Sequence, residues 1–319
     1  MQRRNLMKAA ALAATLGMVA SAGHAQDAEK KVIGVSIPSA THGFMGGLNW
    51  HAQDTIARLG KAYPNLEFVL ATAGDAAKQV NDIEDMMATR NIDGLVVLPF
   101  ESEPLTAPVK AVKEAGKFVT VVDRGLSEEG IEDLYVAGDN TAFGRVAGDY
   151  FKTHLPAGSK IVVLRGIPTT LDNERVEAFQ KALGSDVEIL DMQHGNWNRD
   201  DAFTVMQDYL SKYPKIDAVW AADDDMAIGV MEAIAAANRT DEMWVIGGAG
   251  MKEIVKRIMD GDKQLPVNVT YPPALISSAI EMTALRFVSN APVTGRFIIG
   301  SQLITPENAA QFYYPDSPF

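Results

Sequence analysis

Residues 118–150 read FVTVVDRGLSEEGIEDLYVAGDNTAFGRVAGDY, and this stretch carries the pattern that decides the fold. Two short apolar runs rich in β-branched residues, Phe118–Val122 and Leu134–Ala137, are separated by a turn-rich segment and followed by a helical stretch. Such runs predict buried strands of a parallel sheet, because helices cover both faces of a parallel sheet. The regular alternation breaks near Gly138–Asn140 and then resumes.

The same alternation of strand and helix extends in both directions from this stretch. About five strand–helix units precede the break and about five follow it. Tandem units of this kind give parallel sheets covered by helices. The sequence therefore predicts an α/β protein with two Rossmann-like, doubly wound lobes. The predicted strands are Val32–Ile37, Leu66–Ala71, Gly94–Leu98, Phe118–Val122, Leu134–Ala137, Lys160–Leu164, Val187–Met192, Ala218–Ala221, Trp244–Gly247 and Pro266–Thr270.

The composition of the 319 residues narrows the possible functions. The chain carries 29 Lys and Arg against 41 Asp and Glu, and this net charge of −12 disfavours nucleic acid as a partner. Cysteine is absent, which excludes disulfides, thiol nucleophiles and cysteine-ligated zinc. The histidines lack metal-ligand spacing such as HExxH, so we expect no metal site and no cofactor.

The first 25 residues have the anatomy of a secretory signal peptide. Three basic residues precede an apolar run, Ala9–Ala20, and two small-x-small sites follow this run. The run is shorter than the ~20 residues that a membrane-spanning helix needs. We therefore expect export as a soluble protein, with cleavage after Ala25 or after Ala22.

Chemically informative side chains follow several of the predicted strands. Ligands of an open parallel sheet collect at the carboxyl ends of its strands, where loops lead into helices. Aromatic planes pack against the C–H faces of a sugar ring, carboxylates accept from hydroxyl groups, and guanidinium groups donate to oxygens. The pattern therefore favours carbohydrate recognition. The candidate residues are His42, Phe44, Met45, Asp123, Arg124, Arg175, Trp197, Asp223 and Tyr271.

Four segments are distinctive in their order and spacing: Val122–Arg124, Val136–Asn140 with Gly144 and Ala147–Tyr150, Glu174–Arg175 with Phe179, and Asp223–Ala227. In these segments the chain resembles the periplasmic sugar-binding proteins of ABC importers, of the ribose-binding type, whose fold is shared by LacI-type effector domains. The likeness extends from Lys30 to about Thr305. It implies a periplasmic protein in which two lobes, joined by three chain crossings, close on a ligand in the cleft.

The resemblance also implies where the lobes and the hinge lie. The N-terminal lobe is expected at 30–138 plus 272–299, and the C-terminal lobe at 139–271 plus 300–319. The implied hinge positions are Gly138, Asn140 and Tyr271.

Carried over residue by residue, the resemblance implies ligand contacts in the first of the two lobes. His42 stands where the family usually has Asn or a similar donor, and Phe44 and Met45 stand at its two apolar positions. Asp123 and Arg124 match the pair that contacts sugar hydroxyl groups. Read from the sequence alone, Phe44 and Met45 could equally be core residues at the start of a helix.

In the other lobe, Arg175 matches the family's arginine, and Trp197 matches the aromatic residue that sandwiches the sugar ring. Asp223 stands at a position that is usually Asn or Asp. Carboxylates favour the positive end of a helix, so we expect Asp223 to serve the ligand and Asp224 or Asp225 to cap the following helix.

Two positions depart from the ribose-binding pattern. The family's ribose-type aspartate is replaced by Ala249, and the hinge position that is Gln in ribose binders is Tyr271. Both changes remove partners of ribose hydroxyl groups. The two expected carboxylates and two arginines balance in charge, so we expect an uncharged ligand of about four to six carbons. An alditol, or a pentose other than ribose, fits these features best.

The sequence therefore predicts a monomeric solute-binding protein that delivers a small uncharged sugar or polyol to an ABC permease, and not an enzyme. An alternative partner is a chemoreceptor or sensor kinase that reads the closed form. A glycoside hydrolase with Asp123 and Asp223 as its carboxylate pair is less consistent with the sequence. Arg124 beside Asp123 would keep that carboxylate ionised, whereas a general acid needs a raised pKa.

Overall fold

The computed structural model describes residues 29–319. The expected signal peptide and its cleavage sites after Ala22 and Ala25 lie outside these residues. Within residues 29–319, no helix combines the length and the apolar character needed to cross a membrane.

Strands and helices alternate along most of the described chain. The strands are β1 (Lys31–Pro38), β2 (Leu66–Ala73), β3 (Gly94–Val97), β4 (Phe118–Val122), β5 (Leu134–Gly138), β6 (Lys160–Arg165), β7 (Glu188–His194), β8 (Ala218–Ala221), β9 (Trp244–Ile246), β10 (Asn268–Val269), β11 (Gly295–Ile299) and β12 (Leu303–Ile304). The helices are α1 (Gly43–Ala62), α2 (Ala76–Arg90), α3 (Ser102–Glu114), α4 (Asn140–His154), α5 (Thr170–Leu183), α6 (Arg199–Lys212), α7 (Asp224–Ala236), α8 (Lys252–Met259) and α9 (Leu275–Val288). A short 3-10 helix spans Ala309–Gln311.

The first lobe is the six-stranded sheet, in the order β11-β5-β4-β3-β1-β2, together with helices α1, α2, α3 and α9. All its strand pairs are parallel. Helices α2 and α3 pack together over one face of the sheet, and α1 and α9 pack together over the other. The central strand β3 is buried throughout, as its uninterrupted apolar sequence predicts.

The second lobe is the four-stranded sheet, in the order β7-β6-β8-β9, together with helices α4 to α8. Its strand pairs are also parallel. Helix α4 packs on α5, and α6 packs on α7. The predicted α/β class with parallel sheets is therefore confirmed.

Within residues 29–319 the chain passes three times between the two lobes, at 138–140, at 270–275 and at 299–303. Beside these passages β10 pairs with β12 in a separate antiparallel sheet. The predicted strand Pro266–Thr270 is therefore wrong in its length, because β10 covers two residues, and the expected parallel pairing is wrong, because β10 is antiparallel to β12. Only the isolated bridge between Ala249 and Thr270 continues the parallel pattern of the second lobe.

Candidate functional site

The cleft between the lobes is built by loops that follow the strands at their carboxyl ends. The inner part of this cleft has a volume of about 480 Å³, its open mouth included. A wider outer part continues from it and shares several lining residues. The inner part is lined by His42, Phe44, Asp123, Arg124, Thr169, Leu171, Arg175, Trp197, Asp223, Ala249 and Tyr271.

Eight of the nine candidate residues meet in this inner cleft, and Met45 does not. The Met45 side chain is 2% exposed and packs in the core of the first lobe, reaching only the outer part of the cleft. Its spacing from Leu48 and Ala52, which are also buried, is that of the inward face of α1. That spacing is the signal that separates Met45 from its neighbour Phe44.

Sequence reasoning did not select Thr169 and Leu171 as contacts, although both line the inner cleft. Thr169 caps α5, because its hydroxyl accepts from the Asp172 backbone N–H at 3.3 Å. The loop after β6 therefore presents a hydroxyl group and an apolar side chain to the ligand space. The rule that ligands meet the ends of parallel strands points to this loop as well.

Asp123 lies directly after β4 and lines the first-lobe side of the inner cleft. Its backbone φ of 60° lies in the left-handed region, which Asp tolerates better than most residues. One carboxylate oxygen accepts from the Tyr271 hydroxyl at 2.5 Å, and its backbone carbonyl accepts from the Tyr135 hydroxyl at 2.6 Å. Burial raises the pKa of Tyr271 well above its ordinary value, so its hydroxyl remains a donor.

Arg124 extends from the same loop and is anchored at only one end. Its Nη1 group donates to the Phe100 carbonyl at 2.7 Å. Burial lowers the pKa of Arg124, while neighbouring Asp123 opposes that change, and arginine stays charged under ordinary conditions. Among the described residues only Nη1 finds acceptors, so Nε and Nη2 are available to a ligand.

Arg175 forms part of the second-lobe wall and is held on several sides. Its side chain is buried; Nε donates to Asn140 at 2.8 Å and Nη1 donates to the Ala222 carbonyl at 3.0 Å. The guanidinium carbon lies 4.2 Å from the Phe143 ring centre and 4.4 Å from that of Tyr271. These cation–π contacts and hydrogen bonds fix the orientation of the charge before any ligand arrives.

The loop after β7 places Trp197 beside Arg175. Trp197 adopts a left-handed backbone conformation with φ of 56°, directly after Asn196 with φ of 58°. Its ring lies against Gly166, where an added Cβ would come within 1.7 Å of the indole. Glycine is therefore required at 166 for the indole to reach this position, 5.4 Å from the Arg175 guanidinium.

The three successive aspartates after β8 have different partners, which corrects the expected division of roles. Asp223 itself caps α7, because its carboxylate accepts from the Met226 N–H at 2.8 Å, although it also lines the cleft. Asp224 accepts from the Met251 N–H at 2.7 Å, and burial raises its pKa to about 6. Burial raises the pKa of Asp223 well above its ordinary range, and Asp225 adds to the shift.

His42 is the N-cap residue of α1 and also lines the inner cleft. Burial, supported by the charge of Arg124, lowers the pKa of His42 to about 4, so the imidazole is neutral at pH 7. Its buried Nδ1 has no hydrogen-bond partner among the described residues. In that part of the chain His42, Asp223 and Asp225 also offer three possible metal-ligand atoms within 4.8 Å of one another. Both carboxylates already accept hydrogen bonds from backbone N–H groups, which compete with metal binding. The expected absence of a metal stays a prediction.

The predicted hinge positions lie where the chain passes between the sheets. Gly138 ends β5 against the Tyr271 ring, to which an added Cβ would come within 2.1 Å. Asn140 begins α4 and accepts from Arg175. The predicted hinge positions thus contact residues that line the inner cleft.

The fold and the cleft define a two-lobed α/β binding protein for a small polar ligand. The chain belongs to the periplasmic binding protein domain family, whose model matches residues 33–290. The resemblance to ribose-type sugar-binding proteins is thereby confirmed. Proteins of this family bind their substrates without converting them, and one related member is the D-allose-binding periplasmic protein of Escherichia coli.

Three known proteins illustrate the similarity. The ribose import binding protein RbsB of Escherichia coli is 28% identical over 304 residues, which cover 95% of this chain and 97% of that protein. An ABC transporter solute binding protein from Mycobacterium smegmatis with bound glycerol has 31% identity and a TM-score of 0.80, covering 90% and 98% of the two chains. The fructose binding periplasmic domain of a hybrid two-component system has 26% identity and a TM-score of 0.79, covering 89% and 95%.

Proposed function

We propose that this protein binds a small uncharged sugar or polyol in the periplasm and delivers it to an ABC permease. The observation that carries the proposal is a set of two carboxyl groups and two guanidinium groups in one aromatic cleft. Asp123 and Arg124 come from one lobe, and Arg175 and Asp223 come from the other. Hydroxyl groups can satisfy such a set from both sides, because each accepts and donates hydrogen bonds.

The same geometry gives the mechanism of closure. A ligand bound between the lobes makes its full set of contacts only when both walls approach it, so binding favours the closed conformation. A permease that recognises the closed pair of surfaces would then receive loaded protein selectively. The mixture of carboxyl and guanidinium groups disfavours sugar acids and amines, because either ligand charge would be buried beside a side chain of like charge.

The contacts of Tyr271 and Ala249 favour a ligand other than ribose. Tyr271 occupies one oxygen of Asp123 and leaves fewer acceptor positions for ligand hydroxyl groups. Ala249 presents a methyl group to the inner cleft at the position where ribose binders carry a carboxylate. An alditol or a pentose other than ribose remains our preferred ligand. The related proteins named above are described with ribose, glycerol and fructose, which are all uncharged polyhydroxylated molecules.

Export would follow from the signal peptide that residues 1–25 predict. Intact-mass measurement of the periplasmic protein should give a chain that begins at Gln26, or at Gly23 if the first site is used. The mass in native conditions should be that of a monomer. A full-length chain in the membrane fraction would contradict soluble export.

A sensory role is the second candidate, and one related structure favours it. The fructose binding periplasmic domain belongs to a hybrid two-component system, so the same fold is part of a signalling system there. For the present chain, the partner would be a chemoreceptor or a sensor kinase. Deleting the gene should abolish uptake of the ligand if delivery is the role, and should abolish only the response to it if sensing is the role.

Mass spectrometry of small molecules released from the protein tests the binding function. The protein is purified from periplasm without dialysis, denatured, and compared with an Arg124→Ala variant prepared in parallel. We expect one neutral polyhydroxylated compound, in near-equal molar ratio to the wild type and absent from the variant. A released amino acid or sugar acid would contradict the proposed ligand class.

A further inference from the structure

Asp225 makes a direct contact between the two lobes that does not involve a ligand. It lies in the first turn of α7 in the second lobe, and its side chain is 11% exposed. Its Oδ2 accepts from the Gly43 backbone N–H at 2.8 Å. Gly43 is the first residue of α1 in the first lobe. The hydrogen bond therefore spans the cleft.

Helix α1 lacks a side-chain cap of its own. Its N-cap residue is His42, whose side chain makes no capping hydrogen bond. The first N–H groups of a helix need acceptors, and a carboxylate at this end also interacts favourably with the helix dipole. The described residues supply that acceptor to Gly43 from the opposite lobe, through Asp225.

The neighbouring aspartates show that Asp225 is the one whose hydrogen bond crosses the cleft. Asp223 caps its own helix, and Asp224 binds the 250–251 loop and Asn268 within the second lobe. Asp225 is steadied in its own lobe by Arg199, with 3.8 Å between Nη2 and Oδ1. Its other oxygen is then directed at α1.

The lack of a side chain at Gly43 allows the Asp225 carboxylate to come close to the backbone. An added Cβ would lie 2.8 Å from Asp225 Oδ2 and 2.8 Å from the Met251 methyl group. A side chain at 43 would thus displace the carboxylate from its hydrogen bond. By contrast, a Cβ at Gly46, one turn later in the same helix, would meet no atom within 4 Å.

From these contacts we infer that Asp225 is a closure latch, a helix cap that the second lobe supplies to α1 only when the lobes are closed. The inference rests on the proposed function, because it concerns the open–closed equilibrium of a hinged binding protein. The latch favours closure before the ligand binds. The ligand then needs to supply less of the free energy that holds the two walls together.

Ligand binding is thermodynamically coupled to closure, and this coupling distinguishes the latch role of Asp225 from a direct contact with the ligand. If only the closed conformation holds the ligand tightly, the apparent dissociation constant rises as the closed fraction of the ligand-free protein falls. Loss of the latch should therefore lower the closed fraction of the ligand-free protein, which follows from the closed-to-open ratio, and the affinity by the same factor. Loss of a ligand contact would change the affinity alone.

Single-molecule FRET between dyes at Glu103→Cys and Thr170→Cys measures the ratio, because these two residues line opposite sides of the mouth. The chain has no native cysteine, so labelling is confined to these sites. Asp225→Ala should lower the ligand-free closed-to-open ratio about fivefold or more, as expected for the loss of a charged helix cap. The exposed acid Asp200, in the first turn of α6, provides the control Asp200→Ala, which should leave the ratio unchanged.

A second pair of variants tests the latch without changing charge and covers the case in which Asp225→Ala does not fold. Gly43→Ala should lower the closed-to-open ratio, whereas Gly46→Ala should not. The ratio needs no ligand, so it tests the latch even if every sugar fails to bind and the proposed function falls. A ligand-free wild type with no closed population would overturn the inference. Equal ratios in wild type, Asp225→Ala and Gly43→Ala would overturn it as well.

Discussion

The two walls of the cleft each present one arginine, but they hold it in different ways. Arg124 in the first lobe is anchored through Nη1 to the Phe100 carbonyl. Arg175 in the second lobe has two hydrogen bonds and is surrounded by aromatic rings, among them that of Phe143. The second-lobe wall is therefore assembled before ligand binding, whereas the first-lobe arginine keeps free donors. We therefore propose that Arg175 serves both the fold and the ligand, and that Arg124 serves chiefly the ligand.

Replacing Arg175 should have the largest effect, because it disturbs both roles. Arg175→Ala leaves the Asn140 and Ala222 oxygens without a partner inside the lobe, and it opens a cavity between rings. We expect a loss of about 3 kcal/mol in the free energy of unfolding, together with loss of measurable binding. Urea unfolding and calorimetric titration measure the two effects. An unchanged unfolding midpoint would contradict the structural half of the comparison.

Replacing Arg124 should separate the two roles. Arg124→Ala removes the free donors of the first-lobe wall and leaves Asp123 without its charged neighbour in a closing site. We expect binding about 100-fold weaker, with a change of less than about 1 kcal/mol in unfolding free energy. The control is Arg145→Ala, since Arg145 is 57% exposed and, within residues 29–319, pairs only with Asp149 on the surface of α4. A stability loss as large as that of Arg175→Ala would break the contrast between the walls.

Replacing Trp197, the aromatic residue of the second-lobe wall, should have a smaller effect on binding than replacing either arginine. Trp197→Ala removes a stacking surface worth about 1–3 kcal/mol, which corresponds to roughly a 10- to 100-fold loss of affinity. Gly166→Ala should weaken binding in the same direction, because its methyl group would displace the indole. Calorimetric titration of both variants with the ligand of the wild type provides the measurement. Normal affinity in Trp197→Ala would remove this residue from the site.

The pH dependence of stability should show the smallest effect, and it concerns the first-lobe wall. The folded pKa of His42 is about 4, below its ordinary value of 6.5, so the unfolded chain binds a proton more readily between these values. The free energy of unfolding must then fall as the pH drops through this window, by about 1–2 kcal/mol from pH 7 to pH 5.

His42→Gln should abolish that part of the decline, whereas His154→Gln, at an exposed position, serves as the matched control. Urea unfolding at several pH values compares the three proteins. Parallel curves for wild type and His42→Gln would show that the imidazole is not buried in neutral form.

Much of the fold could be predicted because it depends on buried apolar strands. Phe118–Val122 and Ala218–Ala221 occur at the predicted residues, since continuous apolar runs have few alternatives to the centre of a sheet. Strand β11, Gly295–Ile299, was not predicted. It lies at the edge of the sheet with most of its residues exposed, so its conformation depends on pairing with β5 and not on its own pattern.

The candidate site was predictable where residue type and loop position agree, as at Asp123 and Arg175. It was less predictable where several equivalent residues are adjacent. Residue type does not distinguish Asp223, Asp224 and Asp225. Asp223 caps its own helix, whereas the partners of Asp224 and Asp225 are set by tertiary contacts with the 250–251 loop and with α1. The roles of such neighbouring acids follow only from the three-dimensional arrangement of their partners.

The central claim is that a cleft lined by two aspartates and two arginines holds an uncharged polyhydroxylated molecule between the lobes. A thermal-shift panel tests it most directly, with tetritols, pentitols, pentoses and hexoses set beside the matching sugar acids and amino sugars. A true ligand at ~100 times its dissociation constant should stabilise the protein by about 2.7 kcal/mol. We expect the largest thermal shift with a neutral alditol or a pentose other than ribose, and little or none with the corresponding sugar acids and amino sugars. The largest shift with ribose would contradict the roles given to Ala249 and Tyr271, and the largest shift with a sugar acid, an amino sugar or an amino acid would contradict the central claim itself.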